Sequence, residues 1–200
     1  CKVTHKGGHL PGVDIKNRDE YHSSGAGGGD NGEGHFGRAF FGSRNLIVAH
    51  RLGIVMANAG IDASNVEQAD GSENVLLLPE DPDEDCRKLR QALAERHGAE
   101  VAVIINDSVG RAWRRGTMGL AIGSAGLPAL WDLRGEPDLY GRELLVSEVG
   151  LADELSSAAS ILQGQGNQGQ PVVLIRGLQV PPSDQGAGAL PRPAEQDMFR

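Results

Sequence analysis

Two hundred residues, 39% hydrophobic and 23% charged, are enough for a buried core in one domain or two small ones. Nineteen basic against 27 acidic side chains leave a net charge of −8, which argues against a nucleic-acid coat but allows a local basic pocket for a phosphorylated ligand. Two cysteines, Cys1 and Cys86, build neither a disulfide framework nor a zinc ribbon; with no signal peptide and no apolar run near the about 20 residues of a membrane helix, they point to the cytoplasm.

Eleven of the 29 glycines fall in residues 1–42, with four of the six histidines. Residues 13–42 show neither a helical nor a strand period and read as loop or disorder. The histidine spacing there (His5, His9, His22, His35) matches no tight metal-ligand pattern. Leu46-Ile47-Val48-Ala49-His50 reads as a buried strand, Arg51-Leu52-Gly53 as a turn and residues 54–57 as the returning strand. A glycine-bearing loop follows over residues 58–65, then a short apolar strand over 74–78.

A helix is well marked after that. Asp81 is an N-cap and Pro82 suits the first helical position. Asp83, Glu84 and Asp85 favour the positive end of the dipole, so the acidic run is a helix start rather than a metal site. Cys86, Leu89 and Leu93 form the apolar stripe and Gly98 ends the helix. Residues 101–105 predict a strand opening into a polar loop to about residue 141. Residues 144–146 predict another strand. Leu151, Leu155, Ala158, Ala159 and Leu162 predict an amphipathic helix with Asp153 and Glu154 on its surface. Gly164 to Gly169 is a flexible connection into a strand over 172–175, and residues 181–200 are a solvent-exposed tail. The mixture lacks a regular βαβ rhythm, which predicts an α+β fold of mixed sheets with packed helices.

There is no P-loop, no nucleophile elbow and no Cys-x-x-Cys or His-x-x-x-His pair in the sequence. The chemistry-bearing candidates are two aspartates, each after an apolar strand. Asp62 lies in Asn58-Ala59-Gly60-Ile61-Asp62-Ala63-Ser64-Asn65, and Asp107 in Ile104-Ile105-Asn106-Asp107-Ser108. Magnesium or manganese held with phosphate uses one or two carboxylates, and Asn65 and Ser108 would add neutral oxygens. The competing reading is that both aspartates cap turns. Arg111, Arg114 and Arg115 cluster in an acidic chain, with Arg134 and Arg142 further on; they suit phosphate or carboxylate, or an ordinary solvated surface. Trp113 is expected in the core. Gln163, Gln165 and Gln168 sit in a glycine loop that could lie against a nucleotide.

The run Asn58 to Val66, together with Leu76-Leu77-Leu78-Pro79-Glu80-Asp81-Pro82-Asp83, resembles signatures of the coenzyme F420-0 gamma-glutamyl ligase family. Ile104 to Arg115 resembles its strand followed by D-[ST]-x-G-R-x-W-R, and Gly116 to Leu127 its G-x-x-x-x-A-I-G-x-A-G-L. Leu133-Arg134-Gly135, Tyr140 to Leu144, Ala152-Asp153-Glu154, Gln163-Gly164-Gln165 and Ile175-Arg176-Gly177 continue the likeness, which covers about residues 45–200. It implies a gamma-glutamyl ligase-like fold, an intertwined homodimer, and a cytoplasmic enzyme without nucleic-acid or membrane partners. The implied reaction joins L-glutamate to F420-0, driven by GTP through an acyl phosphate, with Mg²⁺ or Mn²⁺. By position, Asp62 and Asp107 resemble metal-binding aspartates, Ser108 stands where many members have threonine, and Asn65 resembles a nucleotide contact. Gln165 falls near the metal and nucleotide loop, where Gln163, Gly164 and Gly166 would contact nucleotide; the chain's QGQGNQG departs from the commoner MGxAxxG. Arg111, Arg114 and Arg142 are phosphate or substrate candidates.

Residues 1–44 depart from the family pattern. Lys2 to His9 resembles a K-x-x-S-K-A-E-G-like motif, with Lys6 as the nucleotide-contacting lysine. Truncation or a reading-frame disturbance would produce this appearance. The organisation expected is therefore an atypical segment over 1–44, a ligase domain over 45–180 and a tail over 181–200. The alternatives are a catalytically inactive relative that only binds metal or nucleotide or dimerises, and a metal-dependent phosphohydrolase.

Overall fold

The computed structural model describes residues 3–5, 36–41, 46–68 and 74–197. Lys6, and the glycine-rich and histidine-bearing stretch up to His35, lie outside the described residues. The chain forms two compact units, residues 2–78 and 79–200.

The first unit holds two small antiparallel sheets. β1 (Val3–His5) pairs with β5 (Val75–Leu77), with Val3 opposite Leu77. β2 (Phe36–Phe41), β3 (Leu46–His50) and β4 (Val55–Ala57) form a sheet in that order. The β3–β4 hairpin is the one expected from the sequence. The strand β2 corrects the loop reading at residues 36–41, while residues 13–35 lie outside the described residues: Phe36, Phe40 and Phe41 lie opposite His50, Ile47 and Leu46. The glycines around this stretch mask a strand preference that its aromatic residues carry.

The second unit is built on one long hairpin. β6 (Val103–Arg111) and β7 (Arg114–Ala125) pair antiparallel through a two-residue turn. The polar loop expected from 106 onwards is thus mostly strand. Its Asn, Asp, Ser and Gly residues are poor strand formers in isolation, and tertiary packing overrides that preference. A Cβ on Gly119 would meet the Ser156 carbonyl of α2 (Leu151–Gln163), and one on Gly123 would meet the Pro82 carbonyl of α1 (Pro82–His97). Both glycines are there because helix backbone lies directly on the strand. Trp113 sits in the turn, 92% exposed, with φ 64, so the expectation of a core tryptophan is overturned.

α1 begins and ends as its sequence dictates. Asp81 accepts from the Glu84 amide at 2.9 Å, Pro82 opens the helix and left-handed Gly98 closes it. Its expected apolar stripe is only partly buried: Cys86 is enclosed, but Leu89 and Leu93 are 42% and 39% exposed. Burial pushes the Cys86 thiol up to about 12, which makes it packing rather than a nucleophile. α2 also departs from its expected face. Leu151, Ala152 and Ser156 are buried, whereas Ala158 and Leu162 are exposed.

An aspartate in the first turn of each helix holds β7. A bulge opens the ladder, with Ile105 opposite Gly123 but Asn106 opposite Ala121. The Ser124 amide donates to Asp83 at 2.8 Å and the Ala121 amide to Asp153 at 2.9 Å. Asp153 is therefore no surface residue. Asp83 also accepts from the Ala187 amide at 2.8 Å and the Gly188 amide at 3.3 Å. Ala187 is buried in the core with Ala121, Leu127, Ala129, Leu151 and Ala152, so this part of the expected solvent-exposed tail is packed. Gln185 adds a 2.7 Å bond from the Leu130 amide.

Two further expected strands are absent. Residues 144–146 are irregular, and the short pair near them is β8 (Trp131–Asp132) with β9 (Glu148–Val149). Residues 172–175 have no strand partner among the described residues, and Val172 is 84% exposed.

Asp83→Ala should cost about 3 kcal/mol in urea unfolding, because it leaves the amides of two buried residues, Ser124 and Ala187, without an acceptor. Ser156→Ala should leave the urea midpoint equal or higher, since among the described residues the buried Ser156 hydroxyl meets no hydrogen-bond partner. Asp153 gives a pH signature. Burial raises its pKa despite the Ala121 amide, so its contribution to stability is complete below the unfolded carboxylate range and is lost as pH rises through the raised value. Asp153→Asn keeps an acceptor oxygen and removes that loss. Its urea midpoint should exceed the parent's at neutral pH and converge with it at acidic pH.

Candidate functional site

Strand β6 and the loop after α2 meet along one line of polar side chains. Neighbouring strand residues face opposite sides, so Asn106 and Ser108 share a side. Their cross-strand partners are Ala121 and Gly119, the residues of β7 that lie against α2. α2 is clamped there: the Ser157 hydroxyl donates to the Gly119 carbonyl at 2.8 Å, and the Gly119 amide donates to Ser160 Oγ at 3.3 Å. The loop leaving α2 is therefore delivered to the Asn106–Ser108 edge.

Four side chains interlock at that edge. Asn106 Nδ2 donates to Gln163 Oε1 at 2.9 Å, and Gln163 Nε2 donates back to Asn106 Oδ1 at 3.2 Å. Gln163 Nε2 also donates to the Pro171 carbonyl at 3.2 Å. Two residues along, the Ser108 hydroxyl donates to Gln165 Oε1 at 2.8 Å. The loop is compact: Gly164 turns with φ 73, the Gln168 side chain folds against it, and the Gly166 amide donates to Gln168 Oε1 at 2.8 Å. The amide hydrogens of Gln163 and the backbone donor of Gly166, placed by the sequence reading against a nucleotide, are thus taken up within the chain. Asp107 lies opposite Leu120 and, by the pleat, on the side away from Ser108.

Hydroxyl and amide oxygens such as those of Ser108 and Gln165 are of a type that a hard cation accepts. Their 2.8 Å separation is that of an ordinary O–H···O hydrogen bond. Among the described residues no three His, Cys, Asp or Glu side chains group around a point. An ion here would depend on neutral oxygens and on its ligand's phosphates, since Asp107 lies on the other face of β6.

Asp62 and Asn65 belong to the first unit. Asp62 pairs through its backbone with Leu76 at 3.1 and 2.7 Å, and its Oδ1 accepts from the Ser64 amide at 2.8 Å. Its turn-capping role is therefore real. The chain before it is unusual: Asn58, Ala59 and Gly60 all have positive φ (53, 53 and 69), as does Asn65 (52). Left-handed backbone costs a non-glycine residue about 1–2 kcal/mol. Ala59 is buried, and a Cβ on Gly60 would strike Leu78 and Met56. The surrounding packing holds this segment in a shape that propensity would not choose.

The arginines divide by their partners. Arg134 is committed to Asp132 at 2.6 and 2.8 Å, and this pairing pulls the Asp132 carboxyl down to about 2. Arg142 meets Asp138 at 3.0 Å and lies over the Tyr140 ring at 5.9 Å. Backbone amides of Arg142 and Tyr140 lower the Asp138 pKa. Arg111 leans on the Met118 sulfur and the Arg115 carbonyl, and Arg114 and Arg115 are exposed beside the Trp113 turn. Asn106 was not singled out from the sequence. Its signal was available only in its position two residues before Ser108.

This is an α+β protein whose second unit presents a rim of amide and hydroxyl oxygens at the junction of a hairpin and a helix end. Residues 36–177 match the family model described as F420-0:Gamma-glutamyl ligase. The chain belongs to that family. It is similar to the coenzyme F420:L-glutamate ligase of Methanocaldococcus jannaschii, 45% identical over 159 residues, covering 80% of this chain and 62% of the relative. The proteins of the same name from Methanothermobacter thermautotrophicus (49% over 157 residues; 78% and 61%) and Methanopyrus kandleri (45% over 160; 78% and 62%) are also similar. The chain thus spans about six-tenths of the length of these curated relatives. The family match begins at residue 36, upstream of the start expected from the motifs, and takes in β2. No helix among the described residues is long and apolar enough to cross a membrane.

Gln165→Glu keeps an oxygen at the rim but removes the amide donor and adds charge. It should tighten Mn²⁺ binding by several-fold, whereas Gln165→Leu should weaken it; electron paramagnetic resonance of free Mn²⁺ reads both.

Proposed function

We propose that this chain joins L-glutamate to coenzyme F420-0, forming gamma-glutamyl F420 at the expense of GTP, as a cytoplasmic homodimer. The observation that carries the reading is family membership together with the Ser108–Gln165 oxygen pair. An amide does not form from a carboxylate and an ammonium group at useful yield in water, so the carboxylate must be activated. In the proposed sequence a carboxylate oxygen of F420-0 attacks the γ-phosphorus of GTP. The bond to the bridging oxygen breaks and GDP leaves. The amine nitrogen of glutamate then attacks the acyl phosphate carbon, loses a proton, and expels inorganic phosphate with its electron pair.

The residues contribute position and charge, which is most of what phosphoryl transfer requires. By resemblance to the family, Asp62, Asp107, Ser108 and Gln165 would bind Mg²⁺ or Mn²⁺ through carboxylate, hydroxyl and amide oxygens, with Asp107 on the face of β6 away from Ser108. The ion, when bound, neutralises charge on the transferring phosphoryl group. Asn65 is a nucleotide contact. Exposed Arg114 and, beside it, Arg111 suit phosphate oxygens; Arg142, held by Asp138, suits a carboxylate at a fixed place.

Incubation of F420-0 with the chain, GTP, Mn²⁺ and L-glutamate, read by mass spectrometry, should show a gain of one or more glutamyl units. Asp62→Asn and Asp107→Asn should each abolish the gain. Phosphate release from GTP without any glutamate requirement would favour a phosphohydrolase instead. No gain and no phosphate, beside an active full-length relative, would favour an inactive metal- or nucleotide-binding protein.

A further inference from the structure

The tip of the β6–β7 hairpin is built against its own stability. Arg111 and Arg114 are direct partners in the last pair of the ladder, and like charges facing each other across strands are destabilising. Arg115 follows at once, so three guanidinium groups crowd one turn of a chain with net charge −8. Among the described residues no carboxylate pairs with any of them. Arg111 leans instead on the Met118 sulfur at 3.2 Å and the Arg115 carbonyl at 3.4 Å. Gly110 faces Thr117 while Arg111 faces Arg114, which leaves Arg115 and Gly116 unpaired in a bulge. Trp113 holds a left-handed φ of 64 and is 92% exposed. That conformation is costly for a residue with a Cβ, and the place gives an indole nothing to pack on. Backbone strain, like-charge pairing and an exposed indole coincide at one point, and none of them serves the fold.

We propose that this tip binds the far end of the substrate: the Trp113 indole receives the flat deazaflavin ring of F420-0, and the Arg111 and Arg114 guanidinium groups grip its phosphodiester. The proposal rests on the ligation reading above and on Asp107 as part of its reacting centre. An indole face stacks on a planar heterocycle, and a guanidinium fork matches phosphate oxygens. A bound anion also relieves the repulsion between Arg111 and Arg114. The position suits the length of the substrate. By the pleat, Arg111 lies on the side of β6 that carries Asp107, about 13 Å further along the strand. A polyol and the phosphodiester separate the ring of F420-0 from its reacting carboxylate, and a chain of that kind spans a gap of this order. GTP suits the tip less well. Its polyphosphate travels with a divalent ion, which needs oxygen ligands, whereas the arginine side chains offer N–H donors alone.

The test uses the full chain without turnover: F420-0 alone is titrated in and followed by its own fluorescence. Trp113→Leu should weaken F420-0 binding about tenfold, and Trp113→Phe should keep most of the affinity. Arg114→Gln should weaken it several-fold and flatten its dependence on salt. The deazaflavin alcohol that lacks the phospholactyl group separates the two parts of the site. Its binding should fall in Trp113→Leu and stay unchanged in Arg114→Gln. Trp113→Gly should bind F420-0 poorly yet keep an equal or higher urea midpoint, because glycine removes the strain; a merely structural tryptophan would lower that midpoint. Parental F420-0 affinity in both Trp113→Leu and Arg114→Gln would overturn the proposal and leave the ligation reading standing. Loss of magnesium–GTP binding in place of F420-0 binding would assign the tip to the nucleotide. A dimer reduced to a monomer by Trp113→Leu, read by light scattering, would assign it to a second copy of the chain. Either result overturns the proposal. No F420-0 bound by the parent chain would overturn the ligation reading and the proposal together.

Discussion

The carboxylate of Asp83 is the joint of the second unit. It caps nothing in its own helix; it points outward and takes amides from β7 and from the turn at Ala187 and Gly188. A carboxylate suits this place because ionised acceptors make shorter and stronger bonds than neutral ones. It also lies in the first turn of α1, where the helix field favours negative charge. The packing follows from that joint. β7 is bulged where its amides turn to aspartates, the helices come down onto Gly119 and Gly123, and the core closes over Ala121, Ala152 and Ala187.

The site inherits its geometry from that docking. Gly119 lets α2 approach β7 closely, and the hydroxyls of Ser157 and Ser160 fix the register of the approach. The end of α2 is then delivered to β6, where amides and hydroxyls rather than carboxylates line the edge. Such a rim adds no net charge of its own. The strained left-handed run at Asn58 to Gly60 in the first unit is of another kind: backbone held against preference beside a carboxylate, Asp62.

Much of this was legible from local sequence. The cap residues around α1 and the apolar runs of β3, β4 and β5 are where their residue types place them. The motifs between residues 58 and 177 were enough to indicate the family. What escaped was governed by tertiary contact. Gly119 and Gly123 look like loop residues until a helix backbone is laid on them. Trp113 looks like core but occupies a two-residue turn. Asp83 and Asp153 look like surface charge on helix starts, yet each accepts an amide hydrogen from β7. The Ser108–Gln165 contact joins residues 57 apart in the chain, and no spacing rule connects them.

The same anchor at Asp83 has a bearing on when this unit can finish folding. Its two farthest donors lie 104 and 105 residues downstream. During synthesis α1 emerges first, with its caps in place and able to form locally. The hairpin can follow, because its strands are adjacent in the chain. The Asp83 carboxylate nevertheless remains short of two of its three donors until residues 187 and 188 leave the ribosome. The unit therefore completes its core late, and a stalled or prematurely ended chain would expose the small-residue face of β7 to proteases and chaperones.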